Sequence, residues 1–391
     1  MIEFPLTLEA ALLKYLKKEF YQNTRRAHFI ERPFNDSDLQ FFAEGVAKLS
    51  DLFTKDRSQL NSGYLNQPAL RAGYLLYFLP INFAKARYVF QRIPQDFWQK
   101  DQFRVLDLGS GPGSASFAFL HELSSKNPSA KVDLTLVDQS ERALQDAQAL
   151  LHHFGFSSQV SLKKIRSDLK HFRFDSQYDF ILISHALNEL RQNSATERAE
   201  WLLPQFQQHL SPEGLIALTE PALKRPAREL MGLRDHLVEA GELRVLAPCL
   251  HESICPMLAA THNDWCHFYV EWREPEFLKK LDVKVKNDNR FLKVAYLLLG
   301  HAEFYSAQQR RAEIYRVVSN RMATRGKTEL LLCGEGGRIR LTHLERDRSG
   351  VNEDIGRVRR GDLVELPSLL DRKFEVEGRA RLGLKDIFRI L

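Results

Sequence analysis

The chain has 391 residues, more than one ordinary hydrophobic core accommodates, so two or three domains are expected. Its 44% hydrophobic and 27% charged residues exclude a disordered or low-complexity chain. The net charge of +6 is concentrated: residues 301–391 hold 19 Lys and Arg against 14 Asp and Glu, and the first 300 hold 37 against 36. A basic tail suits contact with nucleic acid, or it is a solvated basic surface.

The start, MIEFPLTLEAALLKYLKKEF, reads as an amphipathic helix rather than a signal peptide. The longest apolar run, AGYLLYFLPINFA, is interrupted by Pro80 and too short to span a bilayer. A cytoplasmic protein with no membrane partner is therefore expected. Residues 1–98 keep the helical period in LEAALLKYLKKEF and DLQFFAEGVAKLSDLF, and SGYLNQPALRAGY adds an unusual density of Tyr, Arg and Asn. These form a helical N-terminal domain.

From residue 99 to 305 short apolar runs alternate with helical stretches. RVLDLG, KVDLTLVD, YDFILIS and GLIALTE predict buried parallel strands, separated by helices such as SERALQDAQALLHHF. LRVLAP and HFYVEW predict two late strands flanking a cysteine loop. Residues 306–391 change to a β pattern, with TELLLC, a GEGG turn, RIRLTHLER and RGDLVELP, and form a small β-rich domain. There Arg338 and Arg340 alternate on one strand, followed by Arg357, Arg359 and Arg360. Arginines on one strand face track phosphates, or protect an exposed edge.

In VLDLGSGPGSASFAFL a strand ends in a Gly-rich turn that opens a helix. Gly109, Gly111 and Gly113 let the backbone approach a ligand. Asp107 makes the pattern D-x-G-x-G-x-G, more typical of S-adenosylmethionine sites than of NAD sites, with its carboxylate placed for the cofactor's ammonium. Asp138 ends the next strand, placed for ribose hydroxyls, and Asp168 follows the third, suited to an adenine amino group. After the fourth strand, His185, Asn188 and Glu189 are candidate catalytic residues, with His185 a base and Asn188 an orienting amide. The same residues would equally serve as a polar loop shaping the pocket. No cysteine stands near this turn to act as a nucleophile.

Three of the four cysteines fall in APCLHESICPMLAATHNDWCHF, and the fourth lies in LLLCGEGG. Cys249, Cys255, Cys266 and Cys333 lack the tight C-x2-C knuckles of zinc ribbons. Thiolates on irregular loops suit an iron–sulfur cluster, while nearby histidines keep zinc open and small buried core residues are the third reading.

The combination of VLDLGSGPG, SHALNEL, EPALKRPARELMGLRDHL, APCLHESICP, DWCHF, LLLCGEGG and RRGDLVEL resembles the methyltransferase-like assembly factors of the small ribosomal subunit in bacteria and mitochondria, the group of the mitochondrial methyltransferase-like protein seventeen. The resemblance implies a class I methyltransferase fold with a Rossmann-like core, and a 4Fe–4S cluster on Cys249, Cys255, Cys266 and Cys333. It also implies binding to small-subunit ribosomal RNA, with no DNA partner expected. Two functions stand beside each other: an RNA methyltransferase, and a non-catalytic assembly factor whose cofactor pocket is vestigial or regulatory. A redox sensor gating RNA binding is a third.

Overall fold

The computed structural model describes residues 1–54, 63–189, 194–305, 312–367 and 377–391. By its internal contacts the chain divides into two units, Met1–Leu190 with His209–Ser211 and Val270–Leu292, and Arg191–Gln208 with Pro212–Tyr269 and Lys293–Leu391. These limits differ from the expected ones at 98 and 305. The N-terminal helices share a unit with the first strands of the α/β region, and the β-rich tail shares one with the last.

The first unit opens with a two-residue strand, β1 (Ile2–Glu3), which the helical pattern of the N-terminus conceals. Four helices follow: α1 (Leu6–Tyr21), α2 (Asp36–Thr54), α3 (Pro68–Gly73) and α4 (Leu79–Phe90). On α1, Leu8, Leu12, Tyr15 and Leu16 are buried, the spacing that puts them on one helix face. A single wide π-helical turn over Tyr74–Phe78 joins α3 to α4, a feature frequent at functional sites.

The α/β part of this unit runs β2 (Gln102–Leu108), α5 (Ser114–Lys126), β3 (Lys131–Asp138), α6 (Glu141–His153), β4 (Val160–Arg166) and β5 (Tyr178–Ser184). The strands lie in the order β4-β3-β2-β5 and all pair in parallel. Nearly every residue of β2 and β5 is buried, which explains their unbroken apolar runs. At the end of the order β4 alternates in VSLKKIR, and its lysines suit an edge strand. Trp98, Phe103, Phe119 and Phe180 are buried together, with Trp98 and Phe119 stacked at 5.6 Å. Because β3 and β5 flank β2 on opposite sides, the chain reverses its winding at the carboxyl end of β2, where open α/β sheets bind ligands.

The second unit contains α7 (Ala195–His209), β6 (Leu210–Pro221), α8 (Lys224–Glu239), β7 (Leu243–Ala247), α9 (Pro256–Ala260) and the start of β8 (Phe268–Arg273). After α10 (Glu276–Val285), which belongs to the first unit, β9 (Phe291–His301) pairs antiparallel with both β6 and β7. Residues 248–267, the cysteine stretch, separate β7 from β8, and both strands neighbour β9.

The tail builds a second sheet from β10 (Ile314–Val317), β11 (Met322–Thr324), β12 (Lys327–Gly334), β13 (Gly337–Leu344), β14 (Leu363–Glu365), β15 (Glu377–Leu382) and β16 (Arg389–Ile390). Its order is β15-β13-β12-β10-β14-β16, with β11 beside β12. Leu330, Leu332, Ile339 and Leu341 face its core. Leu331, Cys333, Arg338 and Arg340 alternate with them and occupy the other face. The expected Rossmann-like core, helical start and β-rich end are all present. Among the described residues, no helix is long and apolar enough to cross a membrane.

Candidate cofactor pocket and thiol cluster

The Gly-rich turn leaves the end of β2 with all three glycines in the left-handed region, Gly109 at φ 75°, Gly111 at 51° and Gly113 at 89°. Their surroundings differ. A Cβ on Gly109 would stand 2.4 Å from that of Ala186, so this glycine is needed for packing. A Cβ on Gly111 would meet nothing closer than the Tyr74 hydroxyl at 3.9 Å and Leu65 at 4.0 Å. The turn is pinned by the Gly109 and Ser110 amides, which donate to the Val137 carbonyl at 2.8 and 3.0 Å.

Asp107 is fully buried at the end of β2. Ser116 donates to its Oδ2 at 2.6 Å, whereas Oδ1 has no hydrogen-bond partner among the described residues. Burial, and secondarily the charge of Asp138, push its carboxyl up to about 7 against the pull of Ser116. A buried carboxylate oxygen with no donor is costly in a folded protein, and a cofactor ammonium would satisfy it. The residues present therefore fit S-adenosylmethionine.

Asp138 accepts the Gly111 amide on Oδ2 and the Ser140 amide on Oδ1, both at 2.8 Å, so it also holds the turn in place. Each oxygen retains a second lone pair for a ligand hydroxyl. Asp168 is exposed two residues beyond β4 and accepts the Lys170 amide at 2.9 Å. Its neighbour Leu169 lies 3.5 Å from the Cβ position of Gly109, which brings this loop to the turn.

His185 has φ 60°, a left-handed conformation that costs a non-glycine residue about 1–3 kcal/mol and clusters at functional sites. The Asn188 side-chain amide donates to the His185 carbonyl at 2.6 Å. It braces the strained turn, and so acts on the loop itself. Glu189 closes a short 3-10 turn with Leu187; its side chain lies outside the described residues.

Sequence reasoning missed the contribution of the N-terminal helices to this pocket. The Asn66 amide oxygen accepts the Ser140 hydroxyl at 3.1 Å. Tyr64, Leu65 and Leu70 pack with Ala143 of α6, and Tyr74 lies against the same cluster. The Tyr- and Asn-rich SGYLNQPALRAGY stretch carried this signal, without a partner to give it meaning.

The four thiols lie within the second unit. Cys249 follows β7, Cys255 precedes α9, Cys266 precedes β8 and Cys333 is on β12. Burial raises the thiol pKa of Cys255 to about 12, and burial also raises Cys266 and Cys333. Cys249 adds to all three shifts, and Cys255 and Cys266 add to that of Cys333, so the four are electrostatic neighbours. Among the described residues, no group of three or more His, Cys, Asp or Glu is arranged to hold a single metal ion. The donor chemistry is that of thiol ligands, of which a cluster would need one for each iron.

The loop that carries them is held by α8. Arg228 donates to the carbonyls of Thr261 and Asp264 at 2.7 and 2.8 Å, and buried Arg234 donates to those of His251 and Ser253. Asp235 accepts the Cys255 amide at 3.0 Å, and the Met231 sulfur accepts that of Cys266 at 3.3 Å. Buried His251 places Nε2 3.4 Å from the Cys333 sulfur. Irregular backbone needs such side-chain donors, because it has no ladder to satisfy its carbonyls.

Two of the five arginines assigned to RNA face inward. Arg338 is 2% exposed, and donates to Asp264 at 2.9 Å and to the Met257 sulfur at 3.4 Å. Arg360 is half-buried with its guanidinium 2.6 Å from His267 Nδ1. Strand alternation identified the face of Arg338 correctly but could not show that the cysteine loop covers it. Arg340 is partly exposed beside Arg379 of β15, and Arg357, Arg359 and Arg379 are exposed. Arg338→Met is accordingly expected to cost about 1–3 kcal/mol of stability in denaturant titrations, through loss of its hydrogen bonds to Asp264 and the Met257 sulfur, with RNA affinity unchanged.

The family described as "Mitochondrial small ribosomal subunit Rsm22" matches residues 69–362. No curated protein matches the chain. Among solved structures, a glycopeptide N-methyltransferase, MtfA, is similar at 20% identity and TM-score 0.26, over 35% of this chain and 53% of that one. The chain thus spans about half the length of MtfA. A protein of Listeria monocytogenes assigned to the class I S-adenosylmethionine-dependent methyltransferases is similar at 10% identity and TM-score 0.40, over 76% and 88%. A ribosomal protein L11 methylase of Lactobacillus delbrueckii subsp. bulgaricus is similar at 14% identity and TM-score 0.31, over 56% and 77%. The fold assignment rests on strand order and not on these likenesses.

Proposed function

The chain belongs to the Rsm22 family of the mitochondrial small ribosomal subunit, and from that premise we propose that it binds S-adenosylmethionine and acts on, or binds, small-subunit ribosomal RNA during assembly. The observation that carries the cofactor reading is the buried Asp107 with its unmatched Oδ1 beside the Gly111 cradle. Asp107 would hold the ammonium and Asp138 the ribose hydroxyls, with Asp168 at the adenine end. When bound, the cofactor supplies an electrophilic methyl group. His185 stands at the carboxyl end of β5 as the candidate proton acceptor for an RNA nucleophile.

Cys249, Cys255, Cys266 and Cys333 would hold a 4Fe–4S cluster that fixes the loop 248–267 against β12 as a structural element. Arg340, Arg357 and Arg359 would contact phosphates. Replacing each with Ala should weaken RNA binding and lower the salt dependence of log affinity by about 0.9 for each phosphate no longer neutralised. Filter binding across a salt series reads this directly, and an unchanged slope would remove these residues from the interface.

The deciding experiment incubates anaerobically purified protein with methyl-labelled S-adenosylmethionine and immature small subunits from cells lacking it. Labelled RNA makes the protein a methyltransferase. Bound protein without label favours the second reading, an assembly factor that retains the pocket for binding. One observation supports that second reading: the Asn188 amide spends one N–H on the His185 carbonyl, a bond that shapes the loop itself.

A further inference from the structure

Helix α4 carries a cation that no function assigned above uses. Lys85 is half-buried, and its Nζ meets a neutral partner, the Asn82 amide oxygen at 3.4 Å. Burial alone lowers its pKa to about 8, and no carboxylate acts on it to offset that. Asn82 is buried and its amide donates to the Tyr74 hydroxyl at 3.2 Å. That hydroxyl is the group 3.9 Å from the Cβ position of Gly111. A continuous chain of side chains therefore runs from Lys85 to the Gly-rich turn, within one unit of the protein.

The turn has the complementary deficit, since Asp107 Oδ1 is buried without a donor among the described residues. An unmatched buried anion and an unmatched desolvated cation each cost free energy, and a single ligand relieves both only if it carries both charges. A dinucleotide phosphate would suit Lys85 but be repelled by Asp107. A simple amine would suit Asp107 and leave Lys85 as it was. An α-amino acid, with ammonium and carboxylate on one carbon, carries both charges.

We infer that Lys85 binds the carboxylate of an α-amino acid moiety whose ammonium is held by Asp107, with Tyr74 and Asn82 positioning the lysine. This rests on the cofactor reading and extends it to a residue of the N-terminal helices that selects for the amino acid end of the ligand.

The test compares three ligands by calorimetry: S-adenosylmethionine, decarboxylated S-adenosylmethionine and 5′-methylthioadenosine. Lys85→Met should weaken S-adenosylmethionine by about 10- to 100-fold, the range for a hydrogen bond to a charged group. Binding of the two ligands without a carboxylate should be unchanged, and Lys85→Arg should retain part of the discrimination. If Lys85→Met and Lys85→Gln weaken all three ligands equally, or none, the inference is overturned while the cofactor reading stands. If the unmodified protein binds none of the three, the cofactor reading itself fails, and this inference with it.

Discussion

Gly111→Arg should abolish S-adenosylmethionine binding, a loss of at least about 100-fold, while leaving the protein folded. The expectation follows from the surroundings of the turn. At φ 51° an L residue is strained by about 1–2 kcal/mol, which lowers the melting temperature by a few degrees in a protein of this size. The added Cβ itself has room, because Tyr74 and Leu65 stand at 3.9 and 4.0 Å. The remainder of the arginine must then enter the space that these residues share with the turn, and its guanidinium can occupy Asp107 in place of the ammonium.

Gly109→Ala is the informative contrast, since its Cβ would stand 2.4 Å from that of Ala186. That variant should lose stability before it loses affinity. Calorimetry and thermal melts on both separate the cases. A Gly111→Arg protein that still bound the cofactor would show that the turn does not form its site. Expressed in cells lacking the protein, a folded Gly111→Arg variant that restores subunit maturation would assign the function to assembly and not to methyl transfer.

If the four thiols hold the proposed cluster, Cys333→Ser should remove it and destabilise the second unit by several kcal/mol. Metal binding is coupled to folding, and structural zinc in small domains contributes about 10–16 kcal/mol of binding free energy. If the four thiols were merely small buried residues, Cys333→Ser would cost only about 1–3 kcal/mol, the penalty for burying an unsatisfied hydroxyl, and no metal would change. Iron, zinc and acid-labile sulfide measured on anaerobically purified protein distinguish the outcomes. Stoichiometric iron and sulfide in the parent, lost in Cys333→Ser, establishes the cluster. Zinc without sulfide replaces it with a zinc site. Absence of all three from the parent overturns metal binding altogether.

Several parts of this fold were legible from residue order alone. VLDL, LTLVD and FILIS are buried on both faces, so their unbroken apolar runs identify parallel central strands. The three glycines announce positive φ, and all three have it. Such signals are local, because strand burial and turn geometry are written into neighbouring residues. The separation of Cys266 from Cys333 gave no such local signal, and only the strand β12 and the loop 248–267 folded together bring their thiols within electrostatic reach.

The arginines show the same division. Alternation on β13 sets Arg338 and Arg340 on one face, as the period of two requires. Whether that face meets water depends on what covers it, and Asp264 with Met257 covers Arg338 but leaves Arg340 partly exposed. The pocket repeats the lesson. Asp107, the glycine turn and Asp138 follow from local pattern, whereas Asn66 and Tyr74 join them through packing of elements far away in sequence. The strands and the turn were legible from residue order, because their causes lie within a few residues. Only the tertiary structure decided which polar groups face one another and which are buried, because burial is a property of what packs above a residue and not of the residue.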